Sequence, residues 1–167
     1  MKKLFALVMI FSFITSFLLA NSLELGSPAP QLKVLTDQGT ALDLGEALSA
    51  GTTLVFFYPK AMTPGCVKQA CSLRDGWDEL QSRNVSIFGV SSDTAKTQAQ
   101  FRDKYTLPFT LLADTDGQIA DAFSKSRWSR QAYIFKDGIL VWRDLKAATS
   151  KQATEILAAL DELEPNS

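Results

Sequence analysis

Cys66 and Cys71 are the only cysteines in a chain of 167 residues that contains no histidine. Cys66 ends the run Pro59-Lys60-Ala61-Met62-Thr63-Pro64-Gly65-Cys66, which follows an apolar stretch from Thr53 to Tyr58 and leads into Val67-Lys68-Gln69-Ala70-Cys71. The apolar stretch reads as a buried strand, the Pro/Gly-rich run as a turn, and Val67 to Gln81 as a helix. A thiol at the start of a helix faces amide groups without intrahelical partners and the positive end of the helix dipole. Thiolate is the form that such a position favours, and it is the nucleophilic form of cysteine. Without histidine, Ser–His and Cys–His pairs are excluded, and two cysteines cannot complete a Cys/His zinc site. No glycine-rich phosphate loop is present. The chemistry left is redox chemistry at sulfur. The spacing is not C-x-x-C, which argues against ordinary dithiol exchange. A purely structural Cys66–Cys71 bond would close so small a loop that it could stabilise little.

The elements that must position this thiol alternate in type. Gly26-Ser27-Pro28-Ala29-Pro30 is a non-helical lead-in. Gln31 to Thr36 and Thr40 to Leu42 flank the Asp37-Gln38-Gly39 turn, and Leu44 to Ala50 reads as a short helix. After the cysteine-bearing helix comes a strand from Val85 to Ser91, then a helix capped by Ser92-Asp93 and stopped by Leu107-Pro108. Phe109 to Ala113 is strand-like, and Asp116-Gly117 opens a short helix to Phe123. Gln131 to Phe135 and Ile139 to Arg143 flank Lys136-Asp137-Gly138, a strong hairpin signal. Lys151 to Leu163 is an amphipathic closing helix. The order β-β-α, β-α, β-ββ-α predicts an α/β fold with a central mixed sheet flanked by helices, compatible with a thioredoxin-like fold.

The N-terminus has a different character. Met1-Lys2-Lys3, an apolar block from Leu4 to Leu19, and Ala20-Asn21-Ser22 describe an export signal over residues 1–22. Cleavage near Ser22 would put the mature protein outside the cytoplasm, in a bacterium in the periplasm; retention as a membrane anchor is the alternative. Residues 23–167 then form one domain, large enough to stand without disulfide staples. Its side chains include 15 basic and 18 acidic groups, because residues 1–22 carry two lysines and no acids. No basic stripe points to nucleic acid or to an anionic membrane surface.

Pro59-Lys60-Ala61-Met62-Thr63-Pro64-Gly65-Cys66 resembles the peroxiredoxin signature P-x-x-x-T-x-x-C. The continuation through Gln69-Ala70-Cys71 and Leu73-Arg74-Asp75 is similar to the bacterioferritin comigratory protein, or peroxiredoxin Q, branch. The likeness runs from the Gly26 lead-in to the strand after Arg130. It departs from the branch at Val67, where threonine is common, and at the Lys136-Asp137-Gly138 turn, one residue short of its usual form.

The resemblance implies a thioredoxin-like domain that reduces hydrogen peroxide and organic hydroperoxides, with Cys66 as the peroxidatic nucleophile and Cys71 as the resolving cysteine. It implies that Thr63 offers its hydroxyl to peroxide and thiolate, that Pro59 shields the pocket, and that Arg130 lies beside the sulfur. As alternatives, Thr63 could be only a helix cap, and Arg127 is close enough to Arg130 to compete for its place. Trp128 could line the rim or simply pack, whereas Phe56 and Phe57 read as core. The resemblance implies no cofactor and no metal, a thioredoxin-like or other dithiol reductant, and a monomer. An exported thiol–disulfide oxidoreductase acting on proteins, and a non-catalytic thioredoxin-fold binding module, are the competing readings.

Helix geometry adds a constraint on Cys71. Five residues along an ideal helix put the two Cα atoms about 8.7 Å apart, beyond the approximately 7 Å that a disulfide spans. A Cys66–Cys71 bond therefore requires at least a turn of helix to open, which Gly65 and Gly76 could ease.

Overall fold

The computed structural model describes residues 23–126 and 128–164. The predicted export signal over residues 1–22 and the competing Arg127 lie outside the described residues. Seven strands form one mixed sheet: β1 (Lys33–Thr36), β2 (Ala41–Asp43), β3 (Thr52–Phe57), β4 (Val85–Ser91), β5 (Thr110–Ala113), β6 (Gln131–Lys136) and β7 (Ile139–Asp144). Their spatial order is β2-β1-β5-β4-β3-β6-β7. The central β5-β4-β3 segment is parallel, while β1, β6 and β7 run antiparallel to their neighbours. Among the described residues, six helices complete the fold: α1 (Leu44–Leu48), α2 (Pro64–Asp75), α3 (Trp77–Ser82), α4 (Ala95–Tyr105), α5 (Gln118–Ala122) and α6 (Gln152–Leu163).

The side-chain period of two in a strand sorts the core into two layers. Leu54, Phe56 and Tyr58 of β3, with Ala132 and Ile134 of β6, face the layer that contains Cys66, Ala70, Leu73, Phe101 and Ile156 from the helices α2, α4 and α6. Val55 and Phe57, with Tyr133 and Phe135, face Leu44 and Leu48 of α1, Ile119 of α5 and Phe123. Both Phe56 and Phe57 are core residues, as predicted, but on opposite faces.

Two local readings are corrected, and the predicted hairpin is borne out. The helix predicted over Val67 to Gln81 starts earlier, at Pro64, and divides into α2 and α3 at Gly76. Pro64 fits the first helical turn because its missing N–H would have had no partner there. The division follows from packing: a Cβ on Gly76 would stand 2.7 Å from the Cβ of Ala153 on α6. Gly76 therefore serves close approach of two helices. The cap of α4 is Thr94, whose side chain accepts the Thr97 N–H. Asp93 instead receives the Ala61 N–H at 2.7 Å and the Ser91 hydroxyl at 2.7 Å. The β6–β7 hairpin turns at Asp137 and Gly138, with φ of 49° and 81°. Both are in the left-handed region that a two-residue hairpin turn requires.

Candidate active site

Strand β3 ends where Pro59 removes a donor, after the Tyr58 N–H bonds the Val90 carbonyl at 3.1 Å. The loop that follows is held at Ala61 by Asp93 and passes through Met62, whose φ is 65°. That left-handed backbone is uncommon for a residue with a side chain. It turns the chain so that Thr63 enters the helix with φ −80° and ψ 149°.

Thr63 occupies the N-cap position, yet its side chain makes no cap hydrogen bond. Its hydroxyl donates to the Lys60 carbonyl at 2.9 Å, which leaves oxygen lone pairs available to a further donor. Its carbonyl accepts the Val67 N–H at 2.9 Å, the first bond of the helical ladder. The Gly65 and Cys66 amides precede that ladder. Cys66 is the third residue of α2 and is 1% exposed.

Arg130 comes from far along the chain. In the antiparallel register Phe57 pairs with Gln131, so Arg130 stands at the end of β6 beside the exit of β3. Ala132 and Ile134 face the α2 layer, and by the same alternation so does Arg130. Its Nη1 lies 3.5 Å from the Cys66 sulfur and 2.7 Å from the Gln69 side-chain oxygen. Gly65 admits the guanidinium, since a Cβ there would lie 3.2 Å from Nη2.

Gln69 in turn donates to the Gln152 side-chain oxygen at 2.8 Å, and both glutamines are buried. The direction of this relay is forced, because a guanidinium only donates. Tyr58 shares the buried layer of Cys66, and its hydroxyl donates to Gln98. Burial pushes the Tyr58 phenol far above its ordinary range, and its hydrogen bonds with Ser91 and Gln98 oppose this only in part. Tyr58 is therefore neutral.

Of the five predicted site residues, Cys66 and Arg130 are in contact through the sulfur, and Thr63 and Pro59 lie on the loop that leads to it. Cys71 is a partly buried free thiol on the same helix as the buried free thiol of Cys66. Trp128 is 71% exposed. The sequence pattern assigns no role to Gln69 or Gln152 and reads Asp93 as a helix cap, yet all three polar side chains hold the site together. The only local sign was polar residues within apolar periodic segments. A cleft of about 250 Å³ lined by Phe57, Asp114 and Lys125 does not include Cys66. Burial there lowers the Lys125 amine to about 8, with Asp114 opposing the shift.

The AhpC/TSA family model matches residues 25–143. The chain belongs to that family. Peroxiredoxin Bcp of Escherichia coli (strain K12) is 40% identical over 121 residues, covering 71% of this chain and 76% of its own length. The solved structure of Peroxidoxin BcpB from Mycobacterium tuberculosis superposes with a TM-score of 0.78 at 28% identity, covering 85% of this chain and 99% of that one. A cysteine mutant of Xanthomonas campestris Peroxiredoxin Q superposes with a TM-score of 0.74 at 26% identity, covering 80% and 92%. The predicted thioredoxin-like fold is thus shown. The chain is a Bcp-type peroxiredoxin, a thiol-dependent peroxidase with peroxide substrates and a thiol reductant.

Proposed function

We propose that this peroxiredoxin acts outside the cytoplasm and that Cys66 is the peroxidatic nucleophile, resolved within the chain by Cys71. The observation that carries the assignment is the Arg130 guanidinium 3.5 Å from the Cys66 sulfur. A fixed cation there stabilises negative charge on sulfur and on peroxide oxygen. The Cys66 thiolate attacks one peroxide oxygen; an S–O bond forms, the O–O bond breaks, and the leaving oxygen takes a proton as water or alcohol. The Thr63 hydroxyl accepts a hydrogen bond from the incoming peroxide, and Pro59 keeps water out of the loop. In the second step the Cys71 thiolate attacks the Cys66 sulfenic sulfur; the S–S bond forms and hydroxide leaves as water. A dithiol reductant returns both thiols and leaves oxidised. The cycle needs no cysteine from a second subunit, since both thiols lie on one helix, and a monomer is the proposed working unit.

Residues 1–22 support export, and a mature chain beginning near Leu23 would meet a periplasmic dithiol protein in place of cytosolic thioredoxin. Cys66→Ser should reduce stopped-flow peroxide consumption at least about 10³-fold and leave the unfolding free energy within about 1 kcal/mol of wild type, because the swap is nearly isosteric. A variant that keeps most of its rate would remove the assignment. For the compartment, cell fractionation with N-terminal sequencing should find the mature chain outside the cytoplasm. Full-length protein confined to the cytosol would refute export.

A further inference from the structure

Helix α2 meets residues 149–153 along a single stripe. A helix turns about 100° per residue, so Gly65, Gln69, Ser72 and Gly76 lie within about 60° of one another. Each of the four faces that segment. A Cβ on Gly65 would lie 3.7 Å from the Thr149 methyl. Gln69 donates to Gln152 at 2.8 Å. The Ser72 hydroxyl oxygen accepts the Ala153 N–H at 3.1 Å, and Gly76 packs on the Ala153 methyl. Ser72 thereby caps the first turn of α6 from another helix, since the α6 N-cap residue, Lys151, makes no side-chain cap bond. Cys66, Ala70 and Leu73 form the neighbouring stripe that faces the sheet. Cys71 points about 130° away from both stripes.

Closing a Cys66–Cys71 bond must unwind the helix from its start through Cys71. That opening crosses Gly65 and Gln69 and ends one residue before Ser72. We propose that residues 149–153 form a strap that sets how far α2 opens. Gln152, acting through Gln69, is a positioning residue that keeps Gly65 to Cys71 wound and Arg130 aimed at the sulfur. Ala153, seated on Ser72 and Gly76, is the stop that holds the remainder of α2 in place. This rests on the assignment of Cys66 and Cys71 to the two halves of the cycle.

The polarity of the relay supplies the test. Gln152 contributes an acceptor to Gln69, while its own buried side-chain nitrogen has no partner among the described residues. Gln152→Met keeps the volume and removes the acceptor; Gln152→Glu keeps an acceptor. In the reduced protein, amides of residues 67–75, whose acceptors lie at residues 63–71, should exchange roughly three- to tenfold faster in Gln152→Met, the scale of one lost hydrogen bond. The amide of Gly76, which donates to the Ser72 carbonyl at 3.1 Å, and those after it should be unchanged. Peroxide-treated Gln152→Met should form the intrachain disulfide faster by a similar factor and accumulate correspondingly less sulfinic acid. Its first-step rate should fall, because Gln69 no longer fixes Arg130. Gln152→Glu should restore all of these, and Ser72→Ala should extend the fast exchange to Gly76.

Unchanged exchange at residues 67–75 in Gln152→Met overturns the strap, as does an increase spread evenly over the whole molecule. The exchange measurement needs no disulfide, so it tests the strap separately from the cysteine assignment. That assignment fails instead if wild-type protein treated with peroxide yields no Cys66–Cys71 bond.

Discussion

Adjacent residues of β3 enter two different environments. On the α1/α5 face, Phe57, Tyr133 and Phe135 gather around Phe123, with ring centroids 5.0, 4.9 and 5.9 Å from it and steep interplanar angles. Edge-to-face packing of this kind adds stability beyond the area buried. On the α2/α6 face, Phe56 and Tyr58 also pack with aromatic partners, but the layer includes Cys66 and is flanked by the buried side chains of Gln69, Gln98 and Gln152. Buried polar groups cost free energy unless each finds a partner, and once paired they specify position closely. One face of the sheet therefore carries much of the cohesion, and the other spends some of it on holding a sulfur, a guanidinium and their supports in register.

The largest expected effect tests the cohesive face. Phe123→Ala should cost about 3–5 kcal/mol in denaturant unfolding, because it empties the centre of the aromatic cluster. Its peroxide rate per folded molecule should stay within about twofold of wild type. A rate that falls with stability would show that the two faces are coupled.

Arg130→Met tests the other face. First-turnover peroxide consumption should drop roughly ten- to a hundredfold, the scale of a lost hydrogen bond to a charged group. The unfolding midpoint should move little by comparison. If stability falls instead and the rate survives, Arg130 is a structural residue of β6.

Alkaline titration separates the faces by a group on the cohesive side. Burial pushes the Tyr133 hydroxyl from 10.0 up to about 12, with Arg143 opposing the shift. Between those values the unfolded chain releases a proton that the folded chain keeps, so stability is full below pH 10 and lost as pH rises toward 12. The total loss should be on the order of 2 kcal/mol. Tyr133→Phe should flatten that slope, and an unaltered slope would assign the loss to other groups such as Tyr58.

The smallest effect gives the sharpest contrast. Gly65→Ala should raise stability by about 0.5 kcal/mol through helix propensity. The added methyl, 3.2 Å from Arg130 Nη2, should displace the guanidinium by a few tenths of an ångström and slow the first step several-fold. A variant that is both more stable and equally fast would show that the approach of Arg130 is not limited at Gly65.

Much of this was legible in local patterns. Alternating apolar residues located the strands, Asp137-Gly138 located a hairpin, and Pro59 to Cys66 located a turn that delivers a thiol to a helix start. Those signals are local because turn chemistry and side-chain period act over a few residues. The break at Gly76 was not legible, since it depends on the methyl of Ala153, far away in sequence. Asp93 read as a helix cap because nothing nearby reveals that the Ala61 amide will fold back onto it.

The sequence by itself determined that the chain carries two thiols, one of them at a predicted helix start, that no histidine assists them, and the order of the elements around them. Only the tertiary structure decided that Arg130 reaches Cys66, through the β3–β6 register and the parity that turns its side chain toward α2. Only the tertiary structure joined Arg130, Gln69 and Gln152 into one relay. Contacts between residues so far apart arise when strands pair and helices pack, and no periodicity along the chain encodes which two polar side chains will meet.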